Sequence, residues 1–152
     1  MRVDFAFLCD SAAESNGKIH ALGIGLEQIG ATALPAVHPR AVAVVRFSFS
    51  RGDVGLHDFV VHVRDADGRE AITPVEGEMT LTMADEASQM RANMVIELQQ
   101  LTLQAYGPHE VQVRIDGEEA VALRFEVVPM PAPTPPPGTP SDGTPPPGNP
   151  QP

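Results

Sequence analysis

The chain has 152 residues and a formal net charge of −10, from 20 Asp and Glu against 10 Lys and Arg. So acidic a composition argues against nucleic-acid binding, because phosphate contacts require clustered basic side chains. No apolar run approaches the roughly 20 residues of a membrane-spanning helix, and the N-terminal apolar stretch at residues 5–8 is too short for a signal peptide. We therefore expect a cytoplasmic protein with no membrane contact.

Proline divides the chain into two parts. Twelve of the 16 prolines lie in residues 129–152, where a Thr-Pro-rich segment beginning at Thr134 recurs almost unchanged ten residues later. This stretch has almost no apolar side chains, so we predict a disordered, solvated tail. A spacer is favoured over a docking motif for a proline-binding groove, because no basic residues flank the prolines. Asp142 is its only charged residue, which leaves residues 1–128 with a net charge of −9. They form one domain, long enough to bury a core without disulfides or metals.

Alternation of apolar and polar residues with a period of two dominates the domain and predicts strands with one buried and one wet face. In chain order, the predicted strands are residues 3–8, 19–26, 43–49, 57–64, 75–83, 94–103, 111–115 and 121–127. Helical spacing is nearly absent, although Ser11 to Glu14 fits a capping box and Asp85 could cap a short turn through Arg91. Seven or eight strands in this length predict an all-β fold, an antiparallel two-layer β-sandwich.

Three local features predict how these strands connect. Asn16 and Gly17 tolerate positive φ and would join the first two strands as a hairpin. The apolar residues change from even to odd numbers after Leu98, which predicts a bulge at residues 99–100 or a strand break there.

The last two strands form the third feature, because their apolar residues all have odd numbers. Two residues that lie opposite each other in an antiparallel pair share a face. Odd-numbered apolar residues can therefore oppose one another only if the two residue numbers add up to an even number. We therefore predict a three-residue loop containing Gly117, which pairs Val111 with Val121.

The loop from Asp65 to Glu76 has the acid spacing most suggestive of a cation site, since carboxylates around a glycine turn can wrap Ca²⁺. Counting Asp65 as position one, Glu76 supplies an acid at position twelve. However, Arg69 stands at position five and Glu70 at position six, where the EF-hand pattern needs an oxygen ligand and a glycine. An ordinary turn is therefore favoured.

The other chemical residues form no recognised motif. The five histidines have no metal-ligand spacing, and His57 and His62 fall on opposite faces of one strand. Cys9 with His20 and Asp10 is the one candidate set for nucleophilic catalysis, but a lone cysteine that ends an apolar strand is more often a small buried residue. We therefore assign no catalytic residue, no metal ligand and no cofactor.

Four segments together resemble a known family. These are residues 3–10, 17–25, 34–39 and 65–69. They are similar to an uncharacterised family of bacterial proteins, a domain of unknown function. The resemblance spans most of residues 1–128, excludes the proline tail and implies a small β-rich domain. It carries no catalytic or binding residue.

Two functions remain open. The first is a non-catalytic protein-interaction or structural module with a protein partner, in which an exposed strand edge could add a partner strand and self-association would give a symmetric homodimer. The alternative is a small-ligand or Ca²⁺-binding sandwich that uses the loop from Asp65 to Glu76.

Overall fold

The computed structural model describes residues 1–131 and confirms an all-β fold, an antiparallel two-layer β-sandwich. The described part has ten strands rather than seven or eight, one 3₁₀ turn at Arg51–Asp53 and no α-helix. The strands are β1 (Arg2–Cys9), β2 (Ser11–Ser15), β3 (Lys18–Leu22), β4 (Gln28–Ala31), β5 (Ala36–Ser50), β6 (Gly55–Asp65), β7 (Val75–Leu81), β8 (Gln89–Leu103), β9 (Gly107–Ile115) and β10 (Glu118–Pro129). The predicted disorder of the tail lies outside the described residues from residue 132 onward.

Two main sheets form the layers. One has three strands in the order β1-β5-β8, and the other has five in the order β4-β10-β9-β6-β7. Neighbouring strands are antiparallel except for β4, which pairs in parallel with the last residues of β10. Strands β2 and β3 form a separate hairpin. Within residues 1–131, no helix is long and apolar enough to span a bilayer.

The core lies between the two main sheets and follows the predicted alternation. Val45 and Phe47 of β5 are fully buried, as are Val61 and Val63 of β6 and Val113 of β9. They belong to one continuous apolar cluster to which both sheets contribute. Burial of these alternating aliphatic side chains is the main stabilising term of the fold.

The turn predicted between the first two strands is present, but the hairpin that it closes does not include β1. Asn16 and Gly17, at φ 52° and 72°, connect β2 to β3, whereas β1 pairs with β5. The capping box predicted at Ser11 is also wrong, because this segment is β2. The physical reason is a second apolar cluster: Cys9, Val42 and Val44 lie on the outer face of the three-stranded sheet, and the hairpin covers them.

The turn predicted after Asp85 is present, but β8 begins at Gln89, so no helix follows. The apolar residues of β8 do change face after Leu98, as predicted, but no bulge causes the change. Strands β5 and β8 keep one register throughout. Instead, Gln100 has a φ of 55°, which reorients the chain and returns Leu101 to the core.

The three-residue loop predicted between β9 and β10 is wrong. Asp116 and Gly117 form a two-residue turn with φ of 50° and 81°, which matches the twist of a two-residue hairpin. The even index sum is restored by a register shift between Glu119 and Val121, so Val121 pairs with Val113 instead of Val111. The parity requirement was therefore correct, but a bulge at Ala120 satisfies it.

Candidate binding groove

The structure does not assemble the candidate catalytic set. Cys9 is fully buried, with Sγ 3.5 Å from the carbonyl oxygen of Ser11 and 3.7 Å from that of Val42. Burial raises the pKa of its thiol, which disfavours a thiolate. His20 is exposed on β3, and no hydrogen bond joins it or Asp10 to Cys9 in the described part of the chain.

The loop from Asp65 uses its acids for contacts within the protein. One carboxylate oxygen of Asp65 accepts hydrogen bonds from the backbone N–H groups of Asp67 and Arg69, both at 2.9 Å. The Arg69 guanidinium lies 3.4 Å from Asp65 and 3.1 Å from Asp67. The backbone N–H of Arg69 is the main reason that the pKa of Asp65 is lowered. This is the ordinary turn that the sequence favoured, with Gly68 at φ 81°.

Glu70 turns away from that loop and lies 2.8 Å from His62 and 2.6 Å from Arg64. The acids therefore do not converge on one point. Among residues 1–131, no three His, Cys, Asp or Glu side chains are placed to hold a metal ion. The geometry gives the Ca²⁺ alternative no support.

A groove of about 470 Å³ opens at one end of the sandwich, between β1 and the start of β10. Its apolar lining comes from both sheets, through Val3, Phe47 and Ile115. Its charged rim carries the carboxylates of Asp53, Asp116, Glu118 and Glu119, together with Arg2 and the α-amino group of Met1. The volume falls in the range of ligand-binding clefts.

His57 connects two parts of this rim. Its Nδ1 lies 2.6 Å from a carboxylate oxygen of Asp116, and its Nε2 lies 2.8 Å from the backbone carbonyl oxygen of Asp53. Both partner atoms are acceptors, so each ring nitrogen must carry a proton to donate. Hydrogen bonding to Asp116 is the main cause that raises the pKa of His57, and the carbonyl of Asp53 adds to it.

The carboxylates beside His57 are correspondingly held ionised. The His57 ring is the main cause of the lowered pKa of Asp116, whose second oxygen accepts the backbone N–H of Asp58 at 3.1 Å. The pKa of Asp53 is lowered to about 2 by the α-amino group of Met1, 2.6 Å away, and by Ser50. The two acceptors beside His57 thus favour its protonated ring, in which both nitrogens donate hydrogen bonds.

The strands that flank the groove have unpaired edges. Within residues 1–131, no strand pairs with the second edge of β1, and β4 covers the second edge of β10 only at residues 126–129. These two edges share no ladder, and residues 1–3 and 118–120 line the groove. The register of β1 shifts at Asp4 and that of β10 shifts at Ala120. Bulges at these points interrupt regular pairing.

Sequence reasoning missed this groove, although one signal was present. His57 has the same parity as Phe59, Val61 and Val63, so it lies on the inward face at the end of an apolar stripe. A histidine in such a place needs polar partners from a neighbouring strand end. Asp116 could not be named as that partner, because its position depends on the two-residue turn.

A family of unknown function (DUF6941) matches residues 4–128. The chain belongs to this family. The resemblance to a domain of unknown function is therefore confirmed. No curated protein matches the chain.

Among solved structures, the chain is similar to the alkylpurine DNA glycosylase AlkC of Pseudomonas fluorescens, bound to DNA containing an abasic site analog. The identity is 12%, the TM-score is 0.40, and the match covers 68% of this chain and 28% of that one. The chain thus spans little more than a quarter of that protein. A likeness this distant transfers no function.

Proposed function

We propose that this chain is a non-catalytic protein-interaction module of the cytoplasm, whose β-sandwich binds an extended, basic segment of a protein partner in the groove between β1 and β10. One observation carries the proposal. The groove lies between the unpaired stretches of two strand edges in the described chain, and the exposed carboxylates of Glu118 and Glu119 stand at its rim. An extended peptide gains main-chain hydrogen bonds from such an edge and specificity from the pockets beside it.

The apolar lining gives this segment a place for side chains. Ala120, Val121 and Leu123 of β10 are half-buried and pack on the core beside the unpaired edge. On the opposite side, Val3 and Ala6 of β1 are also half-buried. A partner strand that covers these residues would bury apolar surface and hydrogen-bond the exposed backbone in the same step.

The charge of the groove favours a basic partner. Glu118 and Glu119 are exposed at the rim, and the domain as a whole carries a net charge of −9. Lys and Arg side chains can lay their aliphatic stems on apolar lining while their charged groups meet carboxylates. Complementary charge also speeds encounter and selects partners, so binding should weaken as salt increases.

The experiment is affinity capture from host lysate with the full chain and two charge-reversal variants. Glu118→Lys with Glu119→Lys reverses the groove rim. Glu76→Lys with Glu78→Lys makes the same change of charge on the exposed face of β7 and serves as the matched control. We expect a specific partner on the wild type and the control, and its loss from the groove variant.

Capture that is equal on all three proteins would contradict a role for the groove, as would no specific capture by the wild type. A further variant that ends at Pro131 separates the domain from the tail. We expect it to retain the partner, because the tail is predicted to be a spacer. Loss of the partner from this variant would assign binding to the prolines instead.

A further inference from the structure

The edge strand β8 differs from the other sheet edges of the described chain. It has 15 residues, whereas β1 has 8, β7 has 7 and β4 has 4. Its register with β5 is unbroken, and it contains no proline. Natural proteins protect edge strands with short length, bulges, prolines and clustered charge, because unpaired edges recruit other strands. Strand β8 has none of these protective features.

The uncovered part of this edge has defined limits. Near its C-terminal end, the backbone N–H of Thr102 donates to the carbonyl oxygen of Ala71 at 2.8 Å, so the loop after β6 covers β8 there. Gln100, with its φ of 55°, turns the chain just before that contact. Residues 89–99 remain as a regular stretch, with no backbone partner on the outer side within residues 1–131. Its midpoint is Met94.

We propose that β8 pairs antiparallel with β8 of a second copy of this chain, about a two-fold axis at Met94. This arrangement pairs the whole of residues 89–99 and joins the two three-stranded sheets into one continuous six-stranded sheet. A two-fold interface is self-complementary, so each contact occurs twice. The proposal does not rest on the groove, which lies at a different edge.

The charges of β8 select this register. Arg91 and Glu97 are the only charged residues of the stretch, and their equal parity places them on the same face. With the axis at Met94, Arg91 lies directly opposite Glu97 of the second copy, and the reciprocal pair forms as well. An axis moved by one residue in either direction places Arg91 opposite an uncharged side chain. Opposite charges directly across a ladder are stabilising.

Existing ion pairs extend from both residues into the three-stranded sheet. The Arg91 guanidinium lies 3.2 Å from Asp4 of β1, and the Glu97 carboxylate lies 2.6 Å from Arg40 of β5. The dimer would link these pairs into one network on each side of the axis. In each network, Asp4 and Arg91 of one copy are followed by Glu97 and Arg40 of the other. Charges of alternating sign in one network stabilise more than isolated surface pairs do.

The inner face is also complementary. Met90 is 37% exposed at the end of β8. The same register places it opposite Leu98 of the second copy and places Ala92 opposite Ile96. Leu98 and Ile96 are already buried in the core of their own copy, so this row fits the register without adding much new contact. The charges therefore select the pairing, and the apolar row is compatible with it.

The test is sedimentation velocity of the full chain over a range of micromolar concentrations. We expect a monomer–dimer equilibrium in the wild type and a dissociation constant about tenfold or more higher in Arg91→Glu, because two attractive pairs become repulsive. Adding Glu97→Arg to that variant should restore the dimer. Arg124→Glu, which removes an exposed ion pair on the other sheet, is the matched control and should leave the equilibrium unchanged.

A wild type that stays monomeric or a dimer indifferent to Arg91→Glu would each overturn the proposal. Hydrogen exchange of the wild type needs no variant to fold. At high concentration, protection should increase in residues 89–99 and not in β1 or β7. Protection gained at either of those edges would place the interface elsewhere. The groove lies at a different edge from β8, so the outcome of this test does not decide the outcome of the capture experiment.

Discussion

His57 shows how a single side chain ties the ends of three strands together. It lies near the start of β6, its Nδ1 hydrogen-bonds to Asp116 of the turn between β9 and β10, and its Nε2 hydrogen-bonds to the carbonyl oxygen of Asp53 in the 3₁₀ turn after β5. Since both hydrogen bonds require the protonated ring, the folded state prefers imidazolium. The raised pKa of His57 therefore couples folding to pH.

Replacing His57 with Asn should change the pH dependence of stability. In the wild type, the contribution of His57 is complete below its ordinary pKa of 6.5 and is lost as pH rises through the higher pKa of the folded state. We expect the free energy of unfolding of the wild type to fall across this window relative to His57→Asn. Urea denaturation at a series of pH values measures the difference.

The matched control is His20→Asn, because His20 is exposed on β3. Its pH profile should follow that of the wild type. If His57→Asn and the wild type lose stability in parallel as pH rises above 6.5, the protonated ring is not what connects the strand ends.

Gly77 is the residue on which the packing of β6 against β7 depends most directly. A Cβ atom at this position would lie 2.7 Å from the ring of Phe59, its cross-strand partner. We expect Gly77→Ala to lower the free energy of unfolding by about 1–2 kcal/mol through overpacking. Chemical denaturation measures the change.

Gly52 provides the comparison, because a Cβ atom there meets nothing within 4 Å. Gly52→Ala should therefore leave stability unchanged or raise it slightly. Adding Phe59→Leu to Gly77→Ala should recover part of the loss, and additive effects in this double-mutant cycle would show that the two residues do not interact.

At the level of the elements, the bulge at Ala120 is the feature that alternation alone could not locate. Val111, Val113 and Val121 had to share a face, and the sequence established that much. It could not decide between an odd-length loop and a bulge, because both give the same parity. The two-residue turn forms, and with it the bulge, because Asp116 and Gly117 accept the positive φ that such a turn requires.

Deleting Ala120 should leave the domain folded. Val121 then follows Glu119 directly and keeps its pairing with Val113, so Val121, Leu123, Phe125 and Val127 stay on the inner face. Deleting Gln112 from β9 is the contrasting change, since it moves Val111 and His109 to the outer face. We expect cooperative thermal unfolding to persist in the first variant and to be lost in the second. Loss in both would mean that the bulge itself is required for folding.

The same limit explains the other differences between sequence and structure. The apolar run around Val42 and Val44 indicates that both faces of β5 are covered, and the β2–β3 hairpin provides the second cover. Alternation identifies the faces of a strand, but which strand pairs with β1 depends on contacts distant in the chain. The groove was missed for the same reason: its walls come from β1, β6 and the turn after β9.

At the scale of the whole molecule, two of the sheet edges within residues 1–131 have contrasting properties. The groove between β1 and β10 is interrupted by bulges and bordered by acids, which suits a segment from a basic partner. The edge of β8 is regular and self-complementary, which suits a second copy. A dimer formed through β8 would present two grooves, so a partner with two basic segments would gain affinity through multivalency.

Hydrogen exchange of the full chain, alone and with its captured partner, tests the central claim most directly. If the partner adds a strand in the groove, the unpaired amides of residues 2–7 and 118–125 should gain protection, while exchange in β7 stays unchanged. Protection confined to β7, to the loop that begins at Asp65, or to the tail would contradict binding in the groove.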